Sequence, residues 1–238
     1  MTLRRHLLDG LDPTSLSALP EAAALARRRS GGELAAVAWP SKPTIVIGYQ
    51  QSLRDLDLEA CRKAGIGVGR RFCAGDAFLV GSGDVAFAFA SSQGEEWTYR
   101  EAIAAALGSV VEAARGLGAD PKIVRSAVLI GERRVAAATA VRKWGGHLVS
   151  GYALLNGPLT VFAPALRLSP KELATNYVTV RETTGKDVAP ERFAGLLMDA
   201  WSKALTETGD SPAEGGELKE LSALVSGKYA GERWLSVR

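Results

Sequence analysis

The stretch from Arg70 to Asp84, RRFCAGDAFLVGSGD, contains residues whose types and spacing could bind an anion. Two adjacent arginines open it, and glycines follow at positions 75, 81 and 83. Glycine lets backbone N–H groups approach a phosphate closely, because no side chain stands between them. Asp76 lies in the middle of the stretch, however, and a carboxylate repels a phosphate. The stretch therefore has the backbone flexibility of a phosphate-binding loop together with a side chain that opposes one.

Cys73 in the same stretch is the candidate nucleophile, because a thiolate is a strong nucleophile and Arg70 or Arg71 could lower its pKa. The alternative, which we favour, is a small packed side chain, the usual role of a free cysteine. His147 could act as a general base or as a buried structural histidine, and we favour the structural role. Trp144 could cover a pocket mouth or pack on a turn, and we favour the turn.

The composition is that of an ordinary folded protein with one main domain. Its 29 basic and 26 acidic residues give a net charge of +3, too even a balance for binding nucleic acid through phosphate contacts. No apolar run approaches the roughly twenty residues of a membrane span, and no secretory signal opens the chain, so we expect a cytoplasmic protein without membrane attachment. Two cysteines and two histidines form no ligand cluster, so no metal site is predicted.

Apolar periodicity and turn residues predict the elements that must position these side chains. In the first half we predict a helix over 16–29, two adjacent strands over 34–39 and 44–49, a helix over 56–65 and a buried strand over 85–91. In the second half we predict a helix over 98–117, an antiparallel meander of strands over 122–130, 134–143 and 145–156, and a helix over 190–206.

Strands that alternate with helices early and form a meander later predict an α+β fold, a mixed sheet with flanking helices. Residues 1–206 are predicted to form a catalytic-type domain, the polar residues 207–217 a linker, and residues 218–238 a short C-terminal tail. Four apolar residues in the tail need burial, so we expect it to fold back onto the main domain through Leu221, Leu224, Tyr229 and Trp234.

Several segments follow the order seen in the lipoate-protein ligase family, which shares its catalytic fold with biotin-protein ligases. TIVIGYQQ and the helix after it resemble the family's strand and Gly-x-x-Gln turn leading into a double arginine. GERRVAAATAVRKWGGHLVSGYALLN resembles its lysine-bearing hairpin, and KYAGERWL is similar to the element that opens a small accessory domain in longer members. The resemblance covers most of residues 37–235 and implies a biotin/lipoate-protein ligase catalytic-domain fold.

In that family ATP activates the acid as an acyl-adenylate, lipoyl-AMP for lipoate, and the acyl group then passes to a lysine of a carrier domain. The resemblance implies that Arg134 takes the place of the family's lysine and supplies charge beside the reacting carbonyl. It also implies a set of ligand-binding residues in the loop and the hairpin: Arg70, Arg71, Gly75, Asp76, Ala77, Gly83 and Ala137.

Several of the family's site residues are replaced in this sequence. Cys73 stands for a serine, Asp76 for a glycine, and Arg134 for the lysine; Val80-Gly81 stand for a His-Asp pair and Ser126-Ala127 for an Asn-Asp pair. An arginine keeps the charge of a lysine but not its compact ammonium group. Arg71 and Arg134 could contact a ligand or partner, or could pair with Asp76 or Asp84 and neutralise an empty site.

Two functions follow from these replacements. The first is a divergent or non-catalytic relative that binds a lipoyl-type ligand, a lipoyl carrier domain or a small accessory subunit. The alternative is an active lipoate- or octanoate-protein ligase or acyl transferase that uses Arg134, with ATP and lipoate as its ligands.

Overall fold

The computed structural model describes residues 3–91, 97–205, 213–214 and 219–237. Within these residues the strands form two sheets, and helices cover both faces of the larger one. The strands are β1 (Leu3–Leu11), β2 (Glu33–Pro40), β3 (Thr44–Ile47), β4 (Gly67–Arg70), β5 (Phe78–Val80), β6 (Val85–Ser91), β7 (Pro121–Val124), β8 (Ala127–Ile130), β9 (Arg133–Lys143), β10 (Gly146–Ala153) and β11 (Ala213–Glu214).

The first five α-helices along the chain begin at polar side chains that accept hydrogen bonds from free backbone N–H groups. Asp12 caps the first long helix, and Thr98 and Glu101 form a reciprocal capping box on the second. The helices are α1 (Pro13–Ser30), α2 (Leu58–Lys63), α3 (Tyr99–Gly116), α4 (Pro170–Asn176), α5 (Val180–Thr184), α6 (Pro190–Leu205), α7 (Lys219–Leu224) and α8 (Glu232–Leu235).

The larger sheet is mixed and has the strand order β11-β1-β2-β6-β10-β9-β8-β7. Its β1 is parallel to both β11 and β2, and the pairs from β2 to β7 are antiparallel. The smaller sheet has the order β4-β3-β5, with β4 parallel and β5 antiparallel to β3. This arrangement confirms the predicted α+β fold with a mixed sheet.

Alternate residues of the central strands divide the interior into two cores. In β6, Ala86, Ala88 and Ala90 face α1 and the smaller sheet, whereas Phe87 and Phe89 face α3 and α6. Small side chains on the first face let α1 pack close to the sheet, and aromatic side chains fill the second face. As a result β2, β6 and β10 are buried along their whole length.

The C-terminal tail packs on the main domain through α7, which lies against α1. Leu221 and Tyr229 are buried in the core beside α1, and Leu224 and Trp234 are partly buried against it. The Tyr229 hydroxyl donates a 2.6 Å hydrogen bond to the Glu21 carboxylate. The predicted fold-back of the tail is therefore confirmed.

Other predictions from the sequence were only partly met. The strand predicted over 85–91, the helix over 98–117 and the hairpin of β9 and β10 are present. The predicted neighbours 34–39 and 44–49 lie in different sheets, so their adjacency is wrong. The strand predicted over 122–130 is two strands, β7 and β8, and β1, α4 and α5 were not foreseen. Of the linker predicted over 207–217, the structure describes residues 213–214 alone, so the domain boundaries stay predictions.

Candidate active site

A cavity of about 320 Å³ lies between the loop that follows β4 and the hairpin of β9 and β10. We call it the inner cavity. Its walls combine apolar side chains with a few hydroxyl and charged groups, the usual pattern of a small-molecule site. Its lining residues are Gly75, Asp76, Ala77, Phe78, Ile103, Ser126, Arg134, Ala137, Ala138, Thr139 and Tyr152.

A second cavity of about 520 Å³, the outer cavity, shares Asp76, Ala77 and Arg134 with the inner one. These three residues therefore stand where the two cavities meet, and we call this place the junction. The remaining walls of the outer cavity are four leucines with polar residues between them: Gln51, Leu79, Leu129, Glu132, Leu166, Leu168, Asn176 and Tyr177.

Arg134 is the second residue of β9 and lies next to an irregularity in the pairing of β9 with β8. One guanidinium nitrogen lies 3.9 Å from the Asp76 Oδ2 atom, and the guanidinium carbon lies 5.7 Å from the centre of the Tyr177 ring. The Arg134 side chain is 31% exposed, and that of Asp76 is 85% exposed. Because the two charged groups are 3.9 Å apart and solvent-exposed, this ion pair is weak and does not fix either side chain.

Tyr152 is a site residue that sequence reasoning missed. It lies on β10, is fully buried, and packs against Phe78 with 5.0 Å between ring centres. Burial raises the pKa of its phenol, so the group is neutral at pH 7 and can donate a hydrogen bond. Its hydroxyl lies beside the Arg134 guanidinium and has no acceptor among the described residues, and its side chain lines the inner cavity. The alternation of GGHLVSGYALLN could have pointed to one face of β10 as a cavity wall.

Arg70 and Arg71 are both 1% exposed and point to different places. Arg70 donates to three backbone carbonyls of the turn over 48–51, at Gly48, Tyr49 and Gln51, and to that of Leu235 in the tail, over 2.8 to 3.1 Å. Neither arginine is among the described residues that line the inner or outer cavity. Their position differs from the ligand contact predicted for them, because both guanidinium groups are buried and donate to backbone carbonyls.

Arg71 fixes the loop from beneath. It donates to the carbonyls of Val46, Ala74 and Asp76 over 2.7 to 3.1 Å, and its guanidinium stacks 3.7 Å from the centre of the Phe78 ring. Burial lowers the pKa of Arg71 to about 10, so it remains charged at pH 7. The loop is also held from above, since a Cβ on Gly48 would lie 2.0 Å from the Gly75 carbonyl oxygen.

Cys73 lies in the core behind the loop, 1% exposed, and outside the described lining of both cavities. Burial raises the pKa of its thiol to about 12, whereas the arginine effect considered from the sequence would lower it. Burial dominates, and the thiol is neutral at pH 7. The structure supports the alternative of a packed side chain over the nucleophile.

Asp84 is fully buried and accepts four backbone N–H hydrogen bonds, from Gly81, Leu155, Asn156 and Gly157, over 2.6 to 3.2 Å. It ties the turn between β5 and β6 to the end of β10. The possibility that Asp84 neutralises an arginine of the site is therefore wrong, and Asp76 is the carboxylate beside Arg134. Gly83 lies in this turn beside Asn156, away from the described cavity walls.

His147 and Trp144 have structural positions. His147 is buried on β10 opposite Ser91 of β6, and Trp144 packs against Phe72 at the turn between β9 and β10. In the described part of the chain, no group of three or more His, Cys, Asp or Glu side chains could hold a metal ion. No helix among the described residues is long and apolar enough to cross a membrane.

Residues 12–202 match the family model of the lipoyl protein ligase A/B catalytic domain. A search of curated protein sequences gave no significant match.

Solved structures share the fold at low sequence identity. A bipartite lipoate protein ligase from Thermoplasma acidophilum, studied with its E2 lipoyl domain, is 22% identical with a TM-score of 0.83, over 98% of this chain and 96% of that one. A lipoate-protein ligase A bound with ATP is 21% identical with a TM-score of 0.83, over 98% of each chain. LipL1 of P. falciparum in complex with lipoate is 12% identical with a TM-score of 0.73, over 99% of this chain and 74% of that one.

Proposed function

Since the chain belongs to the lipoyl protein ligase A/B catalytic domain family, we propose that it binds a lipoyl-type acyl group in the inner cavity but does not adenylate it at the rate of ordinary ligases. A lipoyl carrier domain is the proposed partner. The T. acidophilum ligase, which shares the fold, was studied with such a domain.

The charge of the cleft carries this proposal. Among the described residues that line the two cavities, Arg134 is the one basic side chain, against the carboxylates of Asp76 and Glu132. A nucleoside triphosphate such as ATP carries several negative charges on its phosphates. Adenylation needs positive groups near those phosphates to stabilise the transition state. Arg70 and Arg71 cannot supply it, because they are buried and bonded to backbone carbonyls.

Exposure limits how much Asp76 alone can do. Two unit charges 4 Å apart interact by about 1 kcal/mol in water and by several times that when buried. Because the Asp76 side chain is 85% exposed, the lower value applies, and its repulsion alone weakens phosphate binding only about fivefold. The shortage of cations in the cleft contributes more to the expected loss of adenylation than Asp76 does.

The inner cavity fits an acyl chain better than a charged group. Its volume of about 320 Å³ lies at the lower end of the range for small-molecule sites, roughly 300–1,000 Å³. Phe78, Ile103, Ala137 and Ala138 give it apolar walls, which a methylene chain would cover on binding.

Calorimetry and pyrophosphate release test the proposal on purified protein. We expect lipoate or lipoamide to bind, ATP to give no heat, and lipoate with ATP to release pyrophosphate far more slowly than with an ordinary ligase. Ala137→Trp, which fills the inner cavity, should abolish acyl binding. Rapid pyrophosphate release, or acyl binding unaffected by Ala137→Trp, would contradict the proposal.

An active ligase or acyl transferase is the second candidate function, and the position of Arg134 favours it. This guanidinium stands at the junction, where the carbonyl of an acyl chain in the inner cavity would lie, and could stabilise developing negative charge. If this candidate is right, pyrophosphate release is fast and falls at least about a hundredfold in Arg134→Ala.

A further inference from the structure

We infer that the junction of the two cavities recognises an acyl group joined through an amide, as in lipoamide or a lipoyl-lysine side chain, in preference to the free acid. This inference rests on the proposed acyl-binding function, and it specifies the substrate class of the same site.

The hydrogen-bonding groups at the junction match an amide. Arg134 presents N–H donors at the junction, and Tyr152, in the wall of the inner cavity beside it, carries a buried O–H that has no acceptor among the described residues. Asp76 presents a carboxylate acceptor 3.9 Å from the Arg134 guanidinium. An amide offers one carbonyl acceptor and at least one N–H donor in the same plane, so its carbonyl can accept from Arg134 or Tyr152 while its N–H donates to Asp76.

A carboxylate matches the same groups less well. It has two acceptor oxygens and no donor, so nothing in it can satisfy Asp76. It also adds a second negative charge beside a guanidinium that already has one carboxylate at 3.9 Å. An amide is neutral and avoids this repulsion, although it gains less from the positive charge of Arg134. Of the two head groups, the amide therefore leaves fewer polar atoms unpaired.

The outer cavity extends the match beyond the amide. Leu79, Leu129, Leu166 and Leu168 line it, and aliphatic walls suit the methylene stem of a lysine side chain. Phosphates would find carboxylates there, since Glu132 and Asp76 both line the outer cavity. A carrier lysine that bears the acyl group would thus pass through the outer cavity, with its amide at the junction and its acyl chain in the inner cavity.

Calorimetry with lipoamide and lipoate at pH 7.5 and low salt tests the inference on the full chain and on Asp76→Asn. The asparagine keeps the size and one acceptor oxygen of Asp76 and removes the charge. We expect the wild type to bind lipoamide about tenfold tighter than lipoate. In Asp76→Asn the affinity for lipoate should rise about fivefold, while that for lipoamide changes less than about twofold.

Tyr152→Phe supplies a second variant that removes one donor and keeps the ring. It should weaken both ligands, because each would accept from the hydroxyl. Lipoate binding as tightly as lipoamide, with no gain in Asp76→Asn, would overturn the inference and leave the proposed function standing. If neither ligand binds to the wild type or to Asp76→Asn, both the inference and the proposed function fail.

Discussion

Two arginines and two aspartates of the same stretch and hairpin have opposite surroundings. Arg71 and Asp84 are both buried. Arg71 donates hydrogen bonds to three backbone carbonyls, and Asp84 accepts hydrogen bonds from four backbone N–H groups. Arg134 and Asp76 face open cavities and each other across 3.9 Å. The first pair builds the loop, and the second is available to a ligand.

This difference shows why residue type alone could not assign the roles. A buried charge must be paired or hydrogen-bonded, and breaking its partners is costly, whereas an exposed pair contributes little to stability. Loss of fold should therefore accompany changes to Arg71 and Asp84, and changes in binding alone should accompany those to Arg134 and Asp76. Four measurements test this distinction between buried structural residues and exposed residues of the cavities.

Asp84→Ala should give the largest effect, because it leaves four buried N–H groups without their acceptor. We expect a loss of about 4 kcal/mol in the free energy of unfolding, measured by denaturant titration. Asp76→Ala is the matched control and should change it by less than about 0.5 kcal/mol, since that side chain is exposed. Equal losses in the two variants would show that the distinction between them is false.

Deletion of residues 218–238 should give the next effect, because the tail supplies the Leu235 carbonyl to Arg70 and covers the core beside α1. A loss of about 3 kcal/mol corresponds to a fall in melting temperature of roughly 6–12 °C for a chain of this size. Glu232→Ala, at an exposed position in α8, is the control and should leave it unchanged. An unchanged melting temperature after deletion would mean that the tail's contacts with Arg70 and with the core beside α1 do not stabilise the fold.

Arg71→Lys and Arg134→Lys sharpen the comparison with one chemical change at two places. A lysine at 71 cannot reproduce the planar fork that reaches three carbonyls and stacks on Phe78, so we expect about 2 kcal/mol of destabilisation. The same change at 134 should cost less than about 0.5 kcal/mol. Thermal or chemical unfolding of both variants measures the difference, and destabilisation by Arg134→Lys as large as that by Arg71→Lys would contradict it.

The smallest effect is expected at Cys73, whose thiol should not react with an alkylating reagent in the folded protein. Burial raises its pKa to about 12 and leaves the side chain 1% exposed, so at pH 8 the group is a neutral thiol that the reagent cannot reach. Iodoacetamide should therefore leave Cys73 unmodified in the folded protein and alkylate it in denaturant, as read by mass spectrometry of the peptides. Alkylation of the folded protein as fast as that of the unfolded chain would restore the nucleophile hypothesis.

The sequence predicted those helices and strands whose apolar residues recur at a regular spacing. The apolar face of α3 contains Leu107, Val110 and Val111 at helical spacing, and all three are buried as expected. It did not predict β1, because LRRHLLDGL mixes charged and apolar residues that fit no single period, and pairing with β2 decides its state. Tertiary contacts also decide which sheet a strand joins. The short apolar runs of β2 and β3 therefore could not show that these strands belong to different sheets.

The site was predictable in position but not in detail. The matched order of segments placed the loop beside the hairpin, and both line the inner cavity. The side-chain directions were not predictable, because Arg70 and Arg71 at the end of β4 differ only in the face from which they leave the backbone. Tyr152 was missed for a similar reason, since its place on the cavity wall depends on the register of β10 with β9 and β6.

The exposure of Asp76 has an evolutionary consequence. Among the described residues no hydrogen bond is made to its carboxylate, and Arg71 donates instead to the backbone carbonyl of residue 76, which any amino acid provides. A substitution at this position therefore changes the stability of the fold very little and is not removed by selection for folding, whereas a substitution at Asp84 destabilises the fold. Among natural variants of this chain, the identity of residue 76 should follow what the cleft binds. A lineage that returned to a charged head group could then replace Asp76 in one step, without first acquiring a stabilising change elsewhere.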